Sequence, residues 1–307
     1  MCDNFSNHNI AILIATKNGA EHIQEQLVSI DSQIGVTPKV YVSDDASSDN
    51  TVEIILNSGI NHANISVGAF GSSAKNFLHL ILSFVPLKHE EFIFLSDQDD
   101  IWLPRKCIRA IEVLASEDAV VYSGSYCYMD GKNIQYVDKS RNSNGFDHIF
   151  GSPGPGFTFA FRREAFLKLQ ALISSRSDLL IDIRWHDWLI YFVALENGFN
   201  WIVDNEPMSI YRLHGNNDTG QARNLSGIIF RLKFLLSGDF RRQILKLGNF
   251  SILPKTESIL ALVEDFGIKA RFKLIKVVIS SRKKTRDRVA MLLWLFFSLC
   301  DNETSHE

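Results

Sequence analysis

The stretch Phe92-Ile93-Phe94-Leu95-Ser96-Asp97-Gln98-Asp99-Asp100-Ile101-Trp102 decides how the rest of the chain is read. Its first four residues form an apolar run without a polar face, as in a strand buried on both sides. The run ends directly in three carboxylates. In an open α/β sheet that position is the carboxyl edge, where ligands bind. Carboxylates crowded at one strand end repel one another, and a hard divalent cation that also reaches phosphate oxygens relieves the repulsion. The same residues suit a solvated acidic turn capping the helix expected after Pro104, because acidic side chains favour helix N-termini.

Reading outward towards the N-terminus, the strand Ile10 to Ala15 is followed by Ile23, Leu27, Ile30 and Ile34 at helical spacing and by a second strand, Lys39 to Ser43. That rhythm is βαβ. It continues with a helix over about 51–56, a strand near 65–67 and a helix over about 75–84, which lead back to Phe92. Strand-then-helix units in this number argue for a mostly parallel open sheet flanked by helices. After a helix over about 105–115 the pattern turns antiparallel, with runs Val120 to Tyr122 and Tyr126 to Met129 and a third to about Val137. The rigid loop Gly151-Ser152-Pro153-Gly154-Pro155-Gly156 opens onto an expected strand Phe157 to Phe161. A helix over 186–196 and strands near 201–203 and 208–212 follow.

The polar break from Gly215 to Gly220 divides the chain into a body, 1–220, and a helical C-terminal region, 221–307. Charge follows the same division: residues 1–220 carry 16 basic and 27 acidic side chains, whereas residues 221–300 carry 16 and 5. The whole 307-residue chain has a formal charge of only −3, so nothing global suggests a nucleic-acid partner. The four cysteines show no paired or metal-knuckle spacing, which points to a reducing compartment. The polar start, Met1 to Asn9, lacks the basic and apolar regions of a secretory signal, so a cytoplasmic location is expected. The apolar run Val289 to Cys300 is shorter than the roughly 20 residues of a spanning helix. The basic helices suit two roles, lying on an anionic bilayer surface or packing on the acidic body.

Two further strand ends carry chemistry. Asp44 and Asp45 end the second strand and are able to accept from a nucleobase imide and ribose hydroxyls, although by themselves they read as an Asx-rich helix start. Ala15-Thr16-Lys17-Asn18-Gly19 closes the first strand without the glycine spacing of a dinucleotide fingerprint, and no GxxxxGK phosphate loop occurs. That sets aside nicotinamide oxidoreductases and P-loop ATPases. An aspartyl-phosphate phosphotransferase needs its nucleophilic Asp on the first strand, which here ends in Thr16-Lys17-Asn18.

Taken together and in order, these three strand ends resemble the family 2 glycosyltransferases with the GT-A fold. The turn at 16–19 resembles the family's TYNG, 42–51 its VSDDGSSDNT and 94–102 its FLSDQDDIW. His186-Asp187-Trp188 and Tyr211-Arg212-Leu213-His214-Gly215-Asn216-Asn217 resemble the HDW and YRxHxxN of a bacterial rhamnosyltransferase-like group that builds cell-surface polysaccharides. The resemblance implies a nucleotide-sugar-binding part over 10–130 and an acceptor side over 131–220. Thr16, Asn18, Asp44, Asp45, Lys75 and Asp97 would contact the nucleotide sugar, and Asp99 would ligate Mg²⁺ or Mn²⁺ on the diphosphate. His214 would be a further metal contact, and Asp187 the catalytic base, with Asp100 and Asp182 next in line.

The implied activity is an inverting, metal-dependent transfer from a nucleotide-diphospho-sugar, dTDP-rhamnose or a UDP-hexose. The acceptor would be a lipid-linked glycan of the undecaprenyl diphosphate type, used in O-antigen or capsule synthesis at the inner face of the cell membrane. The alternative is a nucleotide-sugar-binding scaffold without turnover. Two departures stand out: Lys17 replaces a common Tyr, and Ala46 replaces a Gly.

Overall fold

The computed structural model of the chain describes residues 7–130, 133–140, 145–213, 225–282 and 284–298. Its first part runs β1 (His8–Thr16), α1 (Ile23–Asp31), β2 (Val36–Asp44), α2 (Thr51–Asn57), β3 (His62–Val67), α3 (Ser73–Ser83) and β4 (Phe92–Ser96), as the periodicity predicts. Next come β5 (Ile101–Trp102), α4 (Lys106–Ser116), β6 (Val121–Gly124), β7 (Tyr126–Asp130), β8 (Asn133–Val137) and α5 (Asp147–Phe150). Then β9 (Ala160–Arg162), α6 (Arg163–Ser174), α7 (His186–Glu196), β10 (Trp201–Asp204) and β11 (Ser209–Arg212) lead to the C-terminal helices. Those are α8 (Leu225–Leu236), α9 (Asp239–Gly248), α10 (Pro254–Asp265), α11 (Ile268–Ser280) and α12 (Thr285–Phe297).

A seven-stranded sheet has the order β10-β6-β9-β4-β1-β2-β3, and a second, four-stranded sheet the order β5-β11-β7-β8. In the large sheet β3, β2, β1 and β4 are parallel, as are β6 and β10, and β9 lies antiparallel between the two blocks. From β1 the chain crosses to β2 on one side and later to β4 on the other. The carboxyl ends of β1 and β4 therefore flank the crevice that such a reversal opens.

The expected strand from Phe157 to Phe161 is shorter than its β-branched and aromatic composition suggested. Gly156–Thr158 is instead a 3-10 turn, closed by the Phe159 N–H donating to the Gly156 carbonyl at 2.8 Å. Phe157, Phe159 and Phe161 are all buried, so the segment has no alternating solvent face to hold it in one strand. The antiparallel expectation also divides. β7 pairs antiparallel with β8 in the small sheet, whereas β6 belongs to the large one.

The apolar runs are explained by burial on both faces. Ile10, Ile12 and Ile14 of β1 pack with α1 and α4, and Ala11, Leu13 and Ala15 face the other side. That second core does not stop at the body. It continues through α7 into Phe240, Ile244, Phe266, Leu274 and Trp294 of the C-terminal helices. Trp294 is fully buried among Phe150, Phe240 and Phe266.

A charged network fastens the same junction. Glu196, at the end of α7, accepts from His148 Nε2 at 2.9 Å, Thr256 Oγ1 at 2.6 Å and the backbone N–H groups of Ile252 and Leu253. Burial pushes this carboxyl up, but the hydrogen bonds from His148, Thr256, Ile252 and Leu253 outweigh it and hold the group down at about 2. Among the described residues, no helix is long and apolar enough to cross a membrane.

Candidate active site

A cleft of about 1000 Å³ runs from the carboxyl ends of β1 and β4 to the N-terminus of α7. Thr16, Asn18, Asp45, Asp97, Asp99 and Asp187, six of the residues singled out from the sequence, line it. Asp44 and Lys75 do not. Residue 214, and with it the expected histidine contact, lies outside the described residues.

At the acidic end, Asp44 is fully buried behind the wall. Its Oδ2 accepts from Thr16 Oγ1 at 2.7 Å and Ser47 Oγ at 2.6 Å, and its Oδ1 accepts from the Ser47 N–H at 2.7 Å. Asp44 thus ties the ends of β1 and β2 together, and Asp45 is the carboxylate that reaches the cleft. Asp45 accepts from Lys17 Nζ at 2.8 Å and from the backbone N–H groups of Phe70 and Gly71. Burial raises the Asp45 carboxyl, but Lys17 and these two N–H groups more than compensate and hold it below the ordinary carboxylate range. Lys17, where the family commonly has Tyr, is therefore a charge partner of Asp45.

Asn18 has φ +48° and uses its side chain to accept from the Ser48 N–H at 2.8 Å, which shapes the turn. Gln98 brackets Lys17: Gln98 Oε1 accepts from the Lys17 N–H at 2.8 Å, and Gln98 Nε2 donates to the Lys17 carbonyl at 2.9 Å. A Cβ on Gly19 would sit 2.2 Å from Gln98 Oε1, so a side chain there would push the Gln98 amide off Lys17.

Lys75 is exposed on α3 and outside the cleft lining; its neighbour Asn76 does the work at this edge. The buried Asn76 amide donates to the carbonyls of Thr16 at 3.1 Å and Ser43 at 3.0 Å, clamping the two strand ends. Helical phase alone separates the two, since adjacent residues point about 100° apart.

Asp97, Asp99 and Asp100 offer carboxylate oxygens that all lie within 4.8 Å of one another. Asp100 is fully buried, and neither of its carboxylate oxygens has a hydrogen-bond partner among the described residues. Burial, followed by the charges of Asp97 and Asp99, pushes its carboxyl well above the usual range, against the pull of Lys106 and Arg212. Orphaned oxygens in an all-oxygen set are the chemistry of a hard divalent cation site, so the three residues fit such an ion. Buried Lys106 lies beneath them. It donates to the Phe157 carbonyl at 2.6 Å and sits 3.8 Å from the centre of the Trp102 ring, and burial lowers it to about 8.

At the other end, Asp187 is the second residue of α7. Its Oδ1 accepts from the Trp188 N–H at 2.8 Å, and Ser152 supplies a side-chain hydrogen bond. Burial pushes the carboxyl up to about 6, against these bonds and the charge of Lys139. The helix is fixed by Trp188 Nε1 donating to the His148 carbonyl at 2.8 Å and by Tyr191 Oη donating to Asp147 at 2.8 Å. His186 stacks on Phe77 with ring centroids 4.1 Å apart, and burial keeps it neutral, lowering it to about 3. A Cβ on Gly156 would stand 2.4 Å from His186 Nε2, so the Gly151 to Gly156 loop packs on α7 only because it has no side chain there. Asp182, the fallback base, pairs with Lys246 at 3.1 Å and is not part of the cleft lining.

Sequence reasoning placed Asp100 in the carboxylate set but missed that it is buried, and it missed Gln98 and Asn76 as the clamps of the acidic end and Ser152 and Lys139 as partners of Asp187. Gln98 and Asp100 lay inside a quoted motif. Ser152 and Lys139 carry no local signal, because only packing brings them to α7.

No protein-family model matches the chain. The dTDP-rhamnosyl transferase RfbG of Shigella flexneri is 34% identical over 242 residues, which are 77% of this chain and 83% of that protein. Among solved structures, TarS 1–349 of S. aureus in complex with UDP-GlcNAc matches with a TM-score of 0.58 at 16% identity, covering 93% of this chain and 79% of that one. The mannosyltransferase PcManGT from Pyrobaculum calidifontis, in complex with GDP-Man and Mn²⁺, matches with a TM-score of 0.57 at 13% identity, covering 94% and 85%. The two structural likenesses speak for the fold, and the sequence relationship goes further: the chain belongs to the family 2 glycosyltransferases of GT-A fold, in their bacterial rhamnosyltransferase-like group.

Proposed function

We propose that the protein is an inverting, metal-dependent glycosyltransferase that moves one sugar, rhamnose or a hexose, from a nucleotide-diphospho-sugar to a lipid-linked glycan of cell-surface polysaccharide synthesis. The observation that carries this reading is a single cleft with Asp97 and Asp99, backed by buried Asp100, at one end and Asp187 at the other. Thr16 and Asp45, at the ends of β1 and β2, would contact the nucleoside, a reading supported by their position on the cleft wall. A Mg²⁺ or Mn²⁺ ion held by Asp99 with Asp97 and Asp100 would neutralise charge on the departing diphosphate.

Asp187 takes the proton from the acceptor hydroxyl. Its raised carboxyl is ionised above about pH 6 and is a stronger base than an ordinary aspartate. Ser152 and the Trp188 N–H hold it in position, and neutral His186 beside it adds no competing positive charge. Direct attack by the acceptor on the face opposite the leaving group inverts the anomeric centre.

Association with a membrane surface is part of the proposal. Ile268, Phe272, Phe296 and Phe297 are exposed on α11 and α12 beside exposed Lys269, Lys273 and Lys276, a combination suited to an anionic bilayer interface. Sedimentation with anionic vesicles that weakens as salt rises is the expected signature.

The test of the activity is incubation of the full chain with dTDP-rhamnose and UDP-hexoses, with Mg²⁺, Mn²⁺ or a chelator. Release of the nucleoside diphosphate from one donor, lost on chelation, is expected, with the product anomer read by NMR. Turnover that survives complete metal removal, or a product of retained configuration, overturns the corresponding part.

A further inference from the structure

The C-terminal helices do more than pack behind the body: they supply part of the cleft wall. Arg231 of α8, Arg282 after α11, and Lys284 and Arg286 at the start of α12 all line it, together with Arg184 and Lys139 of the body. Arg184, Arg282 and Lys139 stand at the end occupied by Asp187, and Lys284 and Arg286 follow Arg282 directly in the chain. The Arg184 guanidinium lies 5.2 Å from the Trp185 ring centre, just before Asp187, and 5.3 Å and 5.2 Å from the rings of Phe230 and Phe234, which seats α8 against the start of α7. Arg282 donates to the Phe150 carbonyl, and its Nη1 would stand 3.0 Å from a Cβ on Gly151, next to the Ser152 that hydrogen-bonds Asp187. Lys139 acts on Asp187 through its charge.

The acids in this part of the lining are Asp138, Asp187 and Asp287, the last paired with Arg286 at 3.3 Å. Near the ends of β1 and β4 the balance is reversed: Glu21, Asp45, Asp97 and Asp99 stand with Lys17. One cleft is thus acidic at one end and basic at the other. Gathering like charges in a low-dielectric cleft is unfavourable unless an opposite charge enters it. Sugar hydroxyls carry none, and the carboxylate set and its cation account for a diphosphate at the acidic end.

We propose that the basic wall binds a phosphate or diphosphate ester on the acceptor, next to the hydroxyl that Asp187 deprotonates. The inference rests on the glycosyltransferase reading and deepens it. It assigns recognition of the acceptor's phosphate ester to the C-terminal helices, and because Arg282 and Asp187 meet at the Gly151–Ser152 loop, the glycan between that phosphate and the reacting hydroxyl is short. Phospholipid headgroups offer the same phosphate-ester chemistry, and the experiment separates the two sources.

Calorimetry on the full chain would compare farnesyl diphosphate, farnesol and phosphatidylglycerol vesicles in the presence of a chelator, which keeps cations out of the acidic end. The variant is the Lys284→Gln/Arg286→Gln pair, two exposed side chains whose loss leaves the core intact. Wild-type protein is expected to bind farnesyl diphosphate but not farnesol, and the variant to bind it at least about tenfold more weakly. A parallel titration with dTDP or UDP and Mn²⁺ should give equal affinities for both proteins. Unchanged farnesyl diphosphate affinity in the folded variant overturns the proposal. So does a loss of nucleotide affinity instead, which would give the wall to the donor, or binding of vesicles alone, which would give it to the bilayer. Failure of wild-type protein to bind any nucleotide counts against the glycosyltransferase reading and leaves the farnesyl diphosphate result to decide the anion site.

Discussion

The acidic end of the cleft is assembled from neighbours, the basic end from distant segments. Thr16, Lys17, Asn18, Asp44, Asp45, Ser47 and Ser48 bond to one another and to Phe70 and Gly71, all within the first βαβαβ part of the chain. Asp187 instead depends on Ser152 and Lys139 and on a loop that Arg282 reaches across a separation of 132 residues. The first arrangement is fixed as soon as three parallel strands align. The second exists only once α7 is enclosed between the large sheet and the C-terminal helices. The acidic end should therefore tolerate damage to the C-terminal helices better than the basic end does.

The largest expected effect separates the two ends by chemistry. Asp187→Asn should lower transfer at least about a hundredfold while donor affinity stays unchanged, because the amide keeps the shape and loses the base. Wild-type turnover with the right acceptor would place the base elsewhere. The same residue carries a stability signature. Its folded-state carboxyl is raised to about 6, so the stability it contributes is present below the ordinary carboxylate range and is lost as pH rises through 6. Asp187→Asn should accordingly be more stable than wild type above pH 6, by up to about 2 kcal/mol, and wild-type transfer should rise as pH passes 6. Denaturation curves and rates at pH 5 and 8 check both.

Asp99→Ala should weaken divalent-dependent nucleoside diphosphate binding at least about thirtyfold, since even second-sphere changes around a metal cost about 10–100-fold. Calorimetry showing unchanged metal-dependent affinity in a folded variant refutes the metal assignment. This change should leave farnesyl diphosphate binding at the basic end unaltered.

A smaller effect tests whether body and C-terminal helices are one cooperative unit. Glu196→Gln places an amide among five donors that now face a carboxylate, including Ser251 Oγ at 3.0 Å. A loss of about 1.5 kcal/mol is expected, in one transition rather than two. Because the Glu196 carboxyl is depressed to about 2, its contribution is present above the ordinary glutamate range and fades as pH falls towards 2. Two separate unfolding transitions in wild-type protein would break the shared-core picture.

The smallest effect lies at the acidic end. Ala46 holds φ +50°, where the family has a glycine, so Ala46→Gly should stabilise the protein by about 1 kcal/mol, read by thermal unfolding.

The parallel sheet, the three strand ends and the HDW helix start were legible because each is written in contiguous residues. Apolar runs, helical spacing and carboxylates directly after a strand need no partner to be recognised. The start and end of α7 match the expected 186–196 for that reason. Phe157 to Phe161 failed as a strand because burial on both sides removes the alternation that identifies one. Lys75 lies outside the cleft lining because a motif names a stretch, whereas helical phase decides that Asn76 faces the strand ends.

The sequence by itself determined the fold class, the carboxyl edge and its acidic residues, since backbone periodicity and strand topology are local or nearly local properties. Only the tertiary structure decided that Asp44 is a tie and Asp45 the carboxylate at the cleft wall, that Asp100 lies buried without a hydrogen-bond partner among the described residues, and that the basic helices turn a cationic edge into the cleft. Those facts depend on burial and on contacts between separate segments, up to 132 residues apart at the basic edge, and neither is encoded in any single stretch of the chain.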